Sequence, residues 1–390
     1  GVRENEDWTV RIDSGEFSPR LGDSYDNVAR YGLSFQRSQN GGRYSPALGP
    51  NVGYYRLVRS ASSARGANGA KESNLFDGID TTIEAAIGPS GKAIDEVVSR
   101  AMAAFTMNDP SATVPALAQG LQLTRDAIGA SKDPGATFVL RIKERQFQDA
   151  INAGMGMELT AVAQPAGQVD PTGPGAAFAP PVLMAAPVPG QVFEVRARLA
   201  NRGGISVAIP PAASAAIELE ADRGWQVRLG PTTGGPNLAR HEQATARMTV
   251  TLADDAAIST KPYFFRTGLQ ESRYTLTDQA QFGRPASPAT LVAVGRYFID
   301  GVPIEIREVV KRRESKLPYG DVLREVRSVP RLSVSLSPSN AIVPLTAARA
   351  RVDVEVSLLH NAEAATAGEV TLTLPAGWTS EPPAHPFAFD

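Results

Sequence analysis

The sequence predicts a multidomain, mainly β chain with a helical insert near its first third. Three observations predict it. Apolar residues alternate with polar ones over most of the stretch beyond Gln191. Turn residues recur between those runs at the spacing of antiparallel sheets rather than of βαβ units. Sustained helical periodicity runs over residues 91–154, and a Pro/Gly-rich stretch separates it from the β region. The length of 390 residues allows two to four domains.

Residues 1–80 read as mixed. Trp8, Val10 and Ile12 alternate with polar neighbours and predict a short strand. Asp23 or Ser24 is placed to cap a helix carrying Tyr25, Val28, Ala29 and Phe35 on one side. A Gly-, Asn-, Ser- and Pro-rich loop follows from Gln39 to Gly53, then a strand over Tyr54 to Val58. Residues 60–73 predict an exposed loop.

Residues 81–160 form the helical region. Ile94, Val97, Val98, Ala101, Met102 and Phe105 fall at helical spacing, and Asn108-Asp109-Pro110 stops that helix. A second helix starts at Thr113 with Pro115 in its first turn, and carries Leu117, Leu121 and Ile128. Asp133-Pro134-Gly135 breaks it, and a third helix spans about Thr137 to Ala153. Alone, about 60 such residues bury a marginal core, so the helices are expected to pack on something else.

Residues 161–190 are assigned to a linker or extended loop, because 164–190 holds seven Pro and four Gly. Residues 191–328 predict a β-sandwich. Val192 to Leu199, Ala216 to Ala221 and Met248 to Leu252 supply strands, and Leu291–Ile299 with Ile304–Val310 predicts a hairpin turning at Asp300-Gly301. Residues 329–390 open a second β block. A weak repeat links the two: VFEVRARLANRG and AAIELEADRGWQV against RVDVEVSLLHNA and GEVTLTLPAGWTS, which sets Trp225 against Trp378. Two such units argue for tandem Ig-like sandwiches. The second has room for four or five strands where a full sandwich uses about seven, so it is expected to be partial.

Composition excludes some chemistry. With 39 basic and 41 acidic side chains, no net field favours a polyanion, which argues against a general nucleic-acid or membrane-surface binder. No apolar run approaches the ~20 residues of a membrane span. Cys is absent, so disulfides, thiol nucleophiles and Cys-bound metals are excluded. The three His (His241, His360, His385) are far apart in sequence and give no local ligand pair.

Local motifs read mostly as structure. Gly88-Pro89-Ser90-Gly91-Lys92 has the wrong spacing for a phosphate loop, and Ala93 stands where a hydroxyl would hold magnesium. It is read as a turn and helix start. Asp77-Gly78-Ile79-Asp80 lacks further oxygen ligands for calcium and is read as a turn, with Asp80 capping the next segment. Lys311-Arg312-Arg313 lies between Glu308 and Glu314 and is read as a solvated edge. The segment Arg37-Ser38-Gln39-Asn40-Gly41-Gly42-Arg43 is the most suggestive. Its two guanidiniums and two amides suit a sugar or carboxylate, and suit a well-bonded turn equally. Arg37, Ser38, Gln39 and Arg43 are the candidate substrate-binding residues.

Several segments together resemble one family. VRIDSGEFSPRLGDSYDNVARYGLSFQRSQNGGR resembles the closing part of the bacterial PIG-L/LmbE-like deacetylase domain, the GlcNAc-PI de-N-acetylase family. NLFDGIDTTI and LRIKERQFQDAINAGMGMEL resemble segments that follow it in large multidomain members. PGQVFEVRARLANRGG, QESRYTLTDQAQFGRP, VPIEIREVVKRRESKLPYGDVLREV and LTLPAGW resemble their Ig-like tail. The resemblance implies that residues 1–80 are the C-terminal remnant of an α/β deacetylase domain whose chemistry is zinc-dependent hydrolysis of N-acetyl groups on amino sugars or glycoconjugates. That chemistry uses an early His-Pro-Asp-Asp motif and a later His; neither is in this chain, and Gln36 stands where relatives commonly have His. Zinc is therefore expected in an upstream domain of the same polypeptide, with no metal ligand or catalytic residue here. The resemblance also implies export and a glycan or glycoconjugate partner. The alternative expectation is a non-catalytic, carbohydrate-associated or spacer β-sandwich module.

Overall fold

The computed structural model describes residues 1–59, 71–169, 172–210, 216–268, 270–343 and 350–390. It divides into two compact units, Gly1–Asp95 and Glu96–Asp390. The chain is mainly β, with several separate sheets.

In the first unit, β1 (Val10–Asp13) is the strand that Trp8, Val10 and Ile12 predict. A hairpin of β2 (Phe17–Ser18) and β3 (Asp23–Ser24) leads into α1 (Tyr25–Ser34). Ser24 caps that helix, its hydroxyl accepting from the Asn27 N–H at 3.2 Å. One turn, α2 (Arg37–Asn40), follows, and then β4 (Val52–Tyr55) pairs antiparallel with β1. Residues 60–70 of the expected loop lie outside the described residues. Helix α3 (Ile83–Ile87) is capped by Thr82, whose own N–H donates to Asp80 at 2.9 Å. Asp77 instead accepts from Ser73 and Asn74, so the two carboxylates serve separate turns. Gly88 to Lys92 is the corner between α3 and α4 (Gly91–Ala104). A Cβ on Gly91 would stand 2.5 Å from the Glu84 nitrogen, so the corner closes only on glycine.

The second unit holds a helical hairpin. α5 (Val114–Ala130) has Pro115 in its first turn. Asp133-Pro134-Gly135 breaks the chain there, and it also starts the next helix three residues earlier than the periodicity predicts. In α6 (Pro134–Met155), Pro134 takes the first position, where its missing N–H costs nothing, and Asp133 accepts from Gly135 N–H at 2.9 Å. The helices touch at Gly120, where a Cβ would lie 2.5 Å from the Phe147 ring.

Two sheets stack beside this hairpin. The first runs β17-β16-β5-β6-β11-β9, made from β5 (Met157–Pro165), β6 (Val192–Asn201), β9 (Trp225–Thr233), β11 (Gln243–Leu252), β16 (Lys311–Ser315) and β17 (Asp321–Glu325). The second runs β10-β7-β14-β15, with β8 also on β14. Its strands are β7 (Val207–Ala208), β8 (Ile217–Ala221), β10 (Asn237–Leu238), β14 (Leu291–Ile299) and β15 (Val302–Val309). Two short strands, β12 (Phe264–Phe265) and β13 (Thr275–Leu276), pair outside both sheets. The core lies between the two sheets: Phe193, Val195, Ala197 and Leu199 of β6 are buried, as are Leu291, Ala293 and Tyr297 of β14. The layers approach closely at Gly295, where a Cβ would meet a Leu199 methyl at 3.1 Å.

Strand β5 straddles residue 160, between the expected helical region and linker. Its pattern, MELTAVAQP, alternates as a strand should, but adjoins the last helical turn without a break other than Gly156. Beyond it, Met184 and Val188 are buried and the Met184 N–H donates to Arg313 O at 2.9 Å, so part of the Pro/Gly-rich stretch lies against the sheets. The β14–β15 hairpin turns at Asp300-Gly301 as expected, with both residues at positive φ. Lys311, Arg312 and Arg313 are strand residues bonded to Glu308, Glu314 and Asp321 respectively.

The C-terminal block holds two hairpins, β18 (Leu332–Ser337) with β19 (Glu355–His360) and β20 (Thr366–Thr371) with β21 (Ala384–Phe389). The first repeats the β5–β6 pairing in register: Leu332 faces His360 as Met157 faces Asn201, and Val334 faces Leu358 as Leu159 faces Leu199. The two tryptophans of the repeat differ. Trp225 is 7 % exposed and meets Phe193 edge to face at 6.1 Å, whereas Trp378 is 41 % exposed in a cleft of about 980 Å³ with Val356 and Leu358. In the first copy a second sheet covers the inner face; in the second copy the β20–β21 hairpin meets β19 through His360, which stacks on Phe389.

Side chains of α6 fasten the helices to the edge of the second sheet. Gln148 accepts from Glu305 N–H at 2.9 Å, Asn152 donates to Glu305 O at 2.9 Å, and the buried Tyr297 hydroxyl donates to Asn152 at 2.7 Å. Asn152→Ala should lower unfolding free energy in urea by about 2–4 kcal/mol, since it strands two buried polar groups. Arg125 links Glu144, at 2.9 Å, to Pro303 O of β15 at 2.6 Å. Burial pushes the Glu144 carboxyl up, but hydrogen bonds and charge from Arg125 and Arg141 outweigh it and hold the group below its ordinary range. A carboxyl depressed by folding adds stability that is complete above its unfolded pKa, about 4.3, and is lost as pH falls through the folded value. Glu144→Gln should therefore lose less stability than the parent between neutral pH and about pH 3, read from urea midpoints.

Candidate functional site

The polar segment singled out by sequence sits at the end of α1. Its setting is built by Asn27. This buried amide donates to Asp23 at 2.9 Å and accepts from the Ala47 N–H at 2.8 Å, which ties the loop after Arg43 back to the helix. The Asn27 amide and the Ser24 N–H hold the Asp23 carboxyl below its ordinary pKa. Asp13 fixes the loop's far end, accepting from Asn51 N–H at 2.8 Å. Gly15 allows the approach, because a Cβ there would meet Gly49 O at 2.2 Å.

Within this frame Arg37, Ser38 and Gln39 occupy the single turn α2, and all three are exposed. Gly41 ends the turn in the left-handed region at φ 62°, its N–H donating to Arg37 O at 3.0 Å. Gly42 continues it at φ 72°, and Arg43, also exposed, lies beyond the corner. The four candidates thus share one surface turn. Forked guanidiniums, a hydroxyl and an amide there can donate to a carboxylate or sugar hydroxyl.

What the sequence reading missed is the aromatic group beside them. Tyr31 meets Phe35 at 5.0 Å and Tyr44 at 5.8 Å, both edge to face. The side of α1 that carries Tyr25, Val28 and Phe35 is exposed. Tyr31 belongs to the same stripe, one helical turn before Phe35, and that spacing was the available signal. Among the described residues 1–95, the buried apolar side chains are Val10, Ile83 and Ile94. The stripe Tyr25, Val28, Tyr31 and Phe35 is thus exposed on a unit with few buried apolar side chains among its described residues.

The three histidines occupy separate settings. His241 is in a turn at φ 69°, its N–H donating to Asn201 O at 2.7 Å. His360 stacks on Phe389 at 5.0 Å and shares a hydrogen bond with Thr366 at 3.0 Å. The His385 ring donates to Pro386 O at 2.8 Å. Among the described residues no group of three or more His, Asp or Glu is arranged to hold a metal ion.

The chain matches no protein-family model and no curated protein. Also, no helix is long and apolar enough to cross a membrane among the described residues.

The aromatic stripe makes a stability forecast. Tyr31→Ala removes an exposed ring, so unfolding free energy in urea should change by no more than about 0.5 kcal/mol. A loss of several kcal/mol would place the ring in a core instead.

Proposed function

We propose that this chain is the distal part of a PIG-L-like de-N-acetylase acting on N-acetylated amino sugars or glycoconjugates. In this reading residues 1–80 close the catalytic domain, and Ig-like sandwiches over 191–328 and 329–390 form its tail. The observation that carries it is the exposed stripe Tyr25, Val28, Tyr31 and Phe35 on a unit that buries only three apolar side chains among its described residues. Covering those four rings and chains with the rest of a deacetylase domain would remove a large apolar area from water, at about 25 cal/mol per Å². Arg37, Ser38, Gln39 and Arg43 would then stand at the rim of that contact, placing guanidinium, hydroxyl and amide groups where a sugar would approach. The metal and its ligands belong to the upstream domain, and no step is assigned to residues here.

The chain alone should bind a hydrophobic dye such as ANS through this stripe and release no acetate from N-acetylglucosamine derivatives. The same chain extended upstream through a His-Pro-Asp-Asp segment should lose the dye signal and release acetate. In that longer protein, Arg37→Ala should raise KM more than it lowers kcat. Acetate release by the short chain, or an unchanged dye signal in the extended one, would refute the reading. The second reading, a carbohydrate-associated or spacer module, is favoured by the repeated β5–β6 and β18–β19 register.

A further inference from the structure

The internal repeat lets two strands be compared position by position. With Leu199 of β6 set on Leu358 of β19, Val195 and Ala197 fall on Val354 and Val356. In the first copy all three are buried, because β5 and β11 flank β6 and a second sheet covers it. In the second copy Val354 is 40 % exposed, Val356 and Leu358 are half-buried, and all three line the cleft of about 980 Å³. Val370, Leu372 and Trp378 line it from the side of β20. Among the described residues from Val329 onward none is buried. Strands with alternating apolar side chains thus stand around a cleft where the first copy has a packed core.

The backbone of β19 shows what fits beside it. The Asn361 N–H donates to Arg331 O at 2.9 Å, on the β18 side. Alternation along the strand then turns the N–H and C=O groups of Val356 and Leu358 away from β18. Among the described residues no strand pairs with that edge. The first copy has the same phase. The Asn201 N–H donates to Glu242 O at 3.0 Å, on the β11 side, so Ala197 and Leu199 present their backbone groups to β11. There the edge is filled: Ala244 lies opposite Leu199, Ala246 opposite Ala197 and Met248 opposite Val195, all of them buried.

Charge extends the comparison to the outer face. In the first copy Arg196 lies directly opposite Arg247. In the second copy Glu355 holds the position of Arg196. A strand seated on β19 as β11 is seated on β6 sets its residue at the Arg247 position directly across from Glu355. A basic side chain is favoured there, and an acidic one is disfavoured.

We infer that the free edge of β19 takes up an extended strand of a partner polypeptide, antiparallel to β19 as β11 is to β6. Alternate apolar side chains of that strand fill the cleft, small ones opposite Leu358 and Val356, and a basic residue faces Glu355. Main-chain hydrogen bonds to Val356 and Leu358 supply affinity, while the cleft and Glu355 select the sequence. The seat rests on the repeat and its register, not on the deacetylase reading.

Calorimetry and tryptophan fluorescence on the full chain test this, with the end-capped peptide QATARMTVTL, the sequence of β11, as the probe. One peptide should bind per chain and shift the emission to the blue, and Trp378→Phe should remove most of that shift. Methylating the peptide nitrogens at the Ala244 and Met248 positions, which face the edge, should weaken binding about tenfold or more. Methylating those at the Thr245 and Thr249 positions, which face away, should leave it unchanged. These peptide variants leave the folding of the chain untouched. Glu355→Lys should weaken the parent peptide about two- to fivefold and prefer a peptide carrying Glu at the Arg247 position. Leu359→Ser, on the opposite face of β19, should bind as the parent does. No binding, equal binding of a scrambled peptide, indifference to which nitrogens are methylated, or a self-associated chain from which the peptide is shut out would overturn the proposal. None of these outcomes bears on acetate release, so the two proposals fail separately.

Discussion

Much of the second unit rests on two amides of one helix. Strand β15 is a sheet edge, with backbone groups that point away from β14 and need partners. Gln148 and Asn152, one helical turn apart on α6, supply them at Glu305, each at 2.9 Å. The helix thereby acts where a further strand would otherwise pair. Asn152 also receives the hydroxyl of Tyr297, the largest fully buried side chain of β14. The helical hairpin, too small to bury a full core by itself, gains one by lying on this edge.

That arrangement explains what the sequence could and could not disclose. The helices were legible from period and breakers, because both signals are local. Pro134 shows the limit: a breaker for one helix is a good first residue for the next, and only the following pattern tells them apart. Strand β5 was hidden by its position, directly after a helix and directly before a Pro/Gly-rich run. The β14–β15 hairpin was legible because Asp300-Gly301 has a fixed conformational meaning.

The candidate site divides in the same way. Arg37, Ser38, Gln39 and Arg43 were legible as a dense polar segment, and the structure gathers them on one turn. The direction of the apolar stripe was not legible. Periodicity marks that Tyr25, Val28 and Phe35 share a face, but not whether that face meets a core or the surface of the described unit. Neighbours distant in sequence were harder still: Arg196 and Arg247 are fifty-one positions apart, and only the antiparallel register of β6 and β11 sets them side by side.

The passage from β15 to β16 has its own consequence. Val310, fully buried, is the single residue between a strand of one layer and a strand of the other. Its N–H donates to Leu291 O at 3.1 Å, and its carbonyl accepts from Val326 N–H at 3.0 Å. The two layers are thus joined through one residue. Val310 cannot follow both layers, so sliding either across the other would break one of those bonds, and the junction resists shear.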